Sequence, residues 1–121
     1  MFALLVDDYD AALTYFTSVI GFSLLEDKDM GNGKRWVVIQ SELGLTILLA
    51  QAKDGEQKAG IGHQFFGRVG IFYKVNDFDR CYQRMKNAGV EFVEEVRHES
   101  YGKVVVFQDY LGNKWDLLEN L

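Results

Sequence analysis

The chain says the same sentence twice. Val6-Asp7-Asp8-Tyr9-Asp10 opens a stretch with apolar residues at Tyr9, Ala12, Leu13, Phe16 and Ile20, ending at Gly21. That spacing gives one buried helix face, begun by acidic residues suited to an N-cap and stopped by a glycine. Val75-Asn76-Asp77-Phe78-Asp79 opens the same pattern again, with Phe78, Cys81, Tyr82 and Met85 lying 69 positions after Tyr9, Ala12, Leu13 and Phe16, and Gly89 closing it. The strand-like runs that follow also correspond, at an offset of 68: Trp36–Gln40 with Val104–Gln108, and Gly44–Leu49 with Gly112–Leu117. Several matches in one order imply an internal duplication, and a duplicated unit of this length restricts the fold to two similar modules.

The reading is α+β, two tandem βαβββ modules over residues 1–51 and 68–121, joined by a connector at 52–67. The first module is read as strand 2–6, helix 8–20 and strands near 22–27, 35–40 and 44–51. The second is read as strand 68–75, helix 77–88 and strands near 90–97, 103–109 and 114–120. Turn signals separate the strands, among them Gly31-Asn32-Gly33 and Leu111-Gly112-Asn113. One helix covers one face of a small sheet, so the opposite face must line a cleft or meet another chain.

At 121 residues the chain suffices for one core of ordinary size. A formal charge of −5 argues against nucleic-acid binding and, taken over the whole chain, favours a cationic small molecule. No apolar run approaches a membrane span, and the lone Cys81 cannot form an intrachain disulfide. A cytoplasmic protein without membrane or nucleic-acid partners is expected.

Three phrases carry a resemblance: Val6-Asp7-Asp8-Tyr9-Asp10-Ala11-Ala12, Phe16 with Gly21-Phe22, and Asp109-Tyr110-Leu111-Gly112-Asn113-Lys114-Trp115-Asp116-Leu117-Leu118-Glu119. In this order, and with the duplication, the chain resembles the glyoxalase/bleomycin-resistance/dioxygenase (vicinal oxygen chelate) superfamily over nearly its whole length. Tyr110 stands where many relatives carry proline. The resemblance implies mixed sheets curled around a cleft, and in the metal-dependent members a divalent ion held there by His, Gln or Glu. Carried onto this chain, the four ligand positions are Met1, Leu48, Gly70 and Asp116. Of these only Asp116 offers a donor for a hard cation. No metal and no other cofactor is therefore expected.

Alternation along the strands nominates what lines the cleft instead: Leu48, Phe72 and Asp116 in phase with the ligand positions, and Trp36 with Gln40 on one face of their strand. His63, Gln64 and Arg68 form a polar and aromatic cluster with Phe65 and Phe66 at the end of the connector, and Tyr101 flanks a hairpin turn. No catalytic residue stands out. The leading expectation is a metal-independent, homodimeric binder of a small cationic or aromatic molecule, of the resistance or sequestration type. The alternatives are a superfamily lyase, isomerase or dioxygenase with a non-standard or metal-free site, and an interaction or regulatory module with an empty cleft.

Overall fold

The computed structural model describes all residues from Met1 to Leu121, in two compact units, Met1–Gln64 and Phe65–Leu121. The boundary falls inside the predicted connector.

In the first unit β1 (Phe2–Val6) runs parallel to β4 (Thr46–Gln51), and β3 (Lys34–Gln40) and β2 (Ser23–Gly31) follow antiparallel, in sheet order β1-β4-β3-β2. Asn32 and Gly33 join β2 to β3 with φ of 54° and 79°. Two successive positive φ values define the tight turn whose twist suits a hairpin, which explains the Asn-Gly pair. Helix α1 (Tyr9–Thr14) begins at Asp8, whose carboxylate accepts from the Ala11 N–H at 2.8 Å. Its buried residues Tyr9 and Ala12, and Phe16 and Ile20 in the turn that continues it, lie on the core side, where Leu4, Val6, Val37, Ile39, Ile47 and Leu49 are also buried.

The second unit repeats the plan. β5 (Val69–Val75) is parallel to β9 (Lys114–Glu119), which pairs with β8 (Gly102–Gln108). Helix α3 (Phe78–Asn87) is capped by Asp77, which accepts from the Arg80 N–H at 3.2 Å. The core holds Ile71, Tyr73, Cys81, Met85, Val105, Phe107, Trp115 and Leu117, with the Phe107 and Trp115 rings stacked 5.4 Å apart. Each large apolar side chain buried here contributes about 1.5–3 kcal/mol.

The change of offset from 69 to 68 has a local cause. Tyr9 and Phe78 are 69 apart, as are the buried Phe16 and Met85, but the closing glycines Gly21 and Gly89 are 68 apart. The first helix therefore holds one residue more, placed after Phe16. There the helix widens: Tyr15–Ile20 is a π-helical turn, and the Gly21 N–H bonds the Phe16 carbonyl five residues back at 3.0 Å. A π-bulge is how a helix accommodates a single extra residue.

Three expectations need correction in detail. The strand predicted near 90–97 is interrupted, giving β6 (Glu91–Phe92) and β7 (Arg97–Glu99), both paired with β8. In the gap the Glu94 carboxylate accepts from the Val106 N–H at 3.1 Å, doing what a strand carbonyl would do, and Arg97 Nε holds that carboxylate at 3.0 Å. The second strand runs longer than 22–27, to Gly31. The connector contains a short helix, α2 (Gly55–Gly60), where Asp54 accepts from the Gln57 N–H and the Gln57 side chain accepts from the Lys53 N–H.

The tight turns before β4 and β9 show the duplication in chemistry as well as outline. Ser41 Oγ accepts from the Leu45 N–H at 2.9 Å. Its counterpart 68 residues on, the buried Asp109, accepts from the N–H groups of Leu111, Gly112 and Asn113 and from the Trp115 indole at 2.9 Å. No helix is long and apolar enough to cross a membrane.

Candidate functional site

In the first unit the face of β3 and β4 away from the helix is settled by burial. Val37, Ile39, Ile47 and Leu49 are buried on the helix side, so Trp36, Val38, Gln40, Thr46, Leu48 and Ala50 share the other face. On this face Leu48 is paired with Val38, and Gln40 donates from Nε2 to Thr46 Oγ1 at 3.0 Å. At the hairpin end the sheet, the β2–β3 turn and the start of α2 enclose a groove of about 480 Å³. Trp36 and Leu48 line it, together with Tyr9, Lys34, Gln51, Lys53 and Gln57 among others. Arg35 lines the groove as well, but its charge is spent on structure. Its guanidinium donates to Asp27 at 2.7 Å and to Asp10 at 2.8 Å and lies 5.1 Å from the Tyr9 ring centre.

Of the connector residues, Gln64 has a clear structural job. β1 is the outer strand of its sheet, and the Gln64 amide pairs with that free edge, accepting from the Leu5 N–H at 3.0 Å and donating to the Ala3 carbonyl at 2.6 Å. His63 is exposed and does not line the groove.

In the second unit Phe72, 57% exposed, stands beside Asp116 in the β5–β9 register. Asp116 Oδ1 is buried and has no hydrogen-bond partner. Burial raises its carboxyl pKa above the ordinary value, Glu94 adds to this, and Arg97 pulls the other way. Arg97 also interacts with Tyr101, so Asp116, Arg97, Glu94 and Tyr101 form one electrostatic group. Arg68 is exposed.

The sign of the Asp116 effect gives a prediction. A carboxyl whose folded-state pKa lies above its unfolded value of about 3.9 binds its proton more tightly when folded, so ionisation takes stability away as pH rises through that window. Asp116→Asn should stabilise the second unit at pH 7, because the amide keeps the shape of the carboxylate and removes the charge that burial disfavours. The gain should vanish below pH of about 3.9, where the native carboxyl is protonated in both states. Urea titrations of both proteins across this range measure it, and a constant difference at all pH values would refute it.

The metal-binding positions implied by the fold do not fit a metal. Leu48 is aliphatic, Met1 offers a thioether, and Gly70 offers nothing. At Gly70 the space a side chain would need is taken, because a Cβ built there would fall inside the Phe65 ring. No group of three or more His, Cys, Asp or Glu side chains comes together anywhere in the chain.

What reading the sequence missed is the rim of the groove: Lys34, Gln51, Lys53 and Gln57. The signal was present in Asp54-Gly55-Glu56-Gln57, an N-cap residue followed three positions later by an amide, which marks a helix start inside the connector.

Comparison with known proteins agrees with the architecture. An uncharacterized protein of Shewanella frigidimarina (strain NCIMB 400) is 42% identical over 120 residues, covering 97% of this chain and 89% of that protein. Among solved structures, UcmS2 superposes with a TM-score of 0.78 at 26% identity, covering 97% of this chain and 93% of that one. TnmS3, an antibiotic binding protein from Streptomyces sp. CB03234, superposes with a TM-score of 0.75 at 21% identity, covering 99% and 93%. The family model for the Glyoxalase/Bleomycin resistance protein/Dioxygenase superfamily matches residues 1–117, and the chain belongs to that superfamily.

Proposed function

We propose that the protein is a metal-independent, homodimeric binder of a small aromatic molecule, held over Trp36 and Leu48 in the groove of the first unit. The groove carries this reading. At about 480 Å³ it has the size of a small-molecule pocket, with an apolar floor and a few polar groups at its rim. None of its lining residues is His, Cys, Ser, Asp or Glu, so it offers no nucleophile activated by a neighbouring base. The replaced residues at three of the four ligand positions support metal independence. The antibiotic-binding activity of TnmS3, a protein of the same fold, is in keeping with sequestration. For the dimer, β2 offers an outer sheet edge with Leu24, Leu25 and Met30 exposed along it.

Trp115 is fully buried and Trp36 only partly, so quenching of tryptophan emission by a ligand reports chiefly on Trp36. Titration with planar aromatic antibiotics should quench that emission and raise the unfolding temperature, whereas manganese(II) or nickel(II) should leave the unfolding temperature unchanged. Sedimentation equilibrium should give twice the chain mass. Stoichiometric stabilisation by a metal ion would overturn the metal-independent reading, and a monomer the dimeric one.

A further inference from the structure

The groove's polar atoms are uneven in kind. The Lys34 and Lys53 side chains line it, and neither ammonium is in an ion pair. Gln51 and Gln57 line it too, and in both the side-chain oxygen is already engaged, accepting from the Tyr9 N–H at 3.1 Å and the Lys53 N–H at 3.1 Å. Each amide therefore has one acceptor site already taken and both NH₂ donors unspent. The Trp36 indole N–H adds another donor. Asp10 and Asp27, which would cancel this charge, hold Arg35 and do not line the groove.

A site with two unpaired cations, several unspent donors and no carboxylate is complementary to an anion. We infer that the groove takes a flat apolar molecule bearing an organic anion such as a carboxylate or sulfonate, its ring over Trp36 and Leu48 and its charge between Lys34 and Lys53. This rests on the groove being the ligand site and adds the charge class of the ligand. The chain's formal charge of −5 does not oppose it, because the acidic residues lie outside the groove and salt screens distant charges.

Three probes of one shape separate the possibilities: 2-naphthoate, 2-naphthylmethanol and 2-naphthylmethylammonium, titrated into the intact protein with Trp36 emission and calorimetry as readouts. Naphthoate should bind about tenfold or more tighter than the ammonium, the scale of one to two charge-assisted contacts. In the double variant Lys34→Gln/Lys53→Gln the preference for naphthoate over the alcohol should fall to about one, with the urea midpoint confirming that the variant folds. Equal binding of anion and cation, tighter binding of the cation, or an unchanged preference in the double variant would overturn the anion assignment while leaving the groove as a ligand site. Failure of all three probes to perturb Trp36 would remove the groove itself as that site, and the anion assignment with it.

Discussion

Asp109→Ala should cost about 4 kcal/mol of folding free energy, which places it among the exceptional single substitutions. Three backbone N–H groups, the Asn113 amide and the Trp115 indole all donate to this one buried carboxylate. Alanine leaves several of them buried and unpaired, and each loses about 1–3 kcal/mol unless water reaches it. Trp115 is also the centre of the aromatic core, so a donor set free there loosens the stack with Phe107. Against the 5–15 kcal/mol typical of a domain, a loss of about 4 is a large share of the whole. The equivalent Ser41→Ala removes one hydroxyl-to-backbone bond and should cost about 1 kcal/mol. Urea unfolding followed by tryptophan fluorescence compares the two. A cost for Asp109→Ala no greater than for Ser41→Ala would show that the turn holds without its carboxylate.

Trp36→Ala should weaken binding of an aromatic probe such as 2-naphthoate about 30-fold, corresponding to roughly 2 kcal/mol for an aromatic anchor at the floor of a site. Its effect on stability should be smaller, about 1 kcal/mol, because Trp36 is only half-buried and lies on the face away from the core. Calorimetric titration and urea denaturation of the same variant give the two numbers. A stability loss without a loss of affinity would make Trp36 a packing residue and move the ligand elsewhere.

How much of this could be read in the sequence depended on how local the determining forces are. The helix starts were legible because Asp8 and Asp77 cap their own next turn, within three residues. The burial of Trp115 against the core followed from strand alternation, a two-residue period. The same period put Trp36 on one face with Gln40, yet could not say which face, since that depends on where the helix lands. The strand break at Glu94 was illegible because its cause is a side chain reaching a backbone N–H twelve residues away. The groove rim was hidden for a related reason: Lys34 and Lys53 meet only when the hairpin and the start of α2 come together at one end of the sheet. Net charge is a coarse guide of another kind. It sums the whole surface, whereas recognition depends on the few groups within a Debye length of the ligand.

The widened turn at Tyr15–Ile20 bears on how the two halves have been able to diverge. An insertion of one residue in a paired strand turns every later side chain to the wrong face unless a β-bulge takes it up, so core and surface otherwise exchange places. A helix meets the same insertion by opening one turn, and the register beyond it recovers. The helices are thus the stretches where a tandem copy can gain or lose a codon and stay foldable. In a chain duplicated in this way, length changes that survive selection should collect in helices and connectors, leaving the strands, and the faces they present to a ligand, at constant spacing.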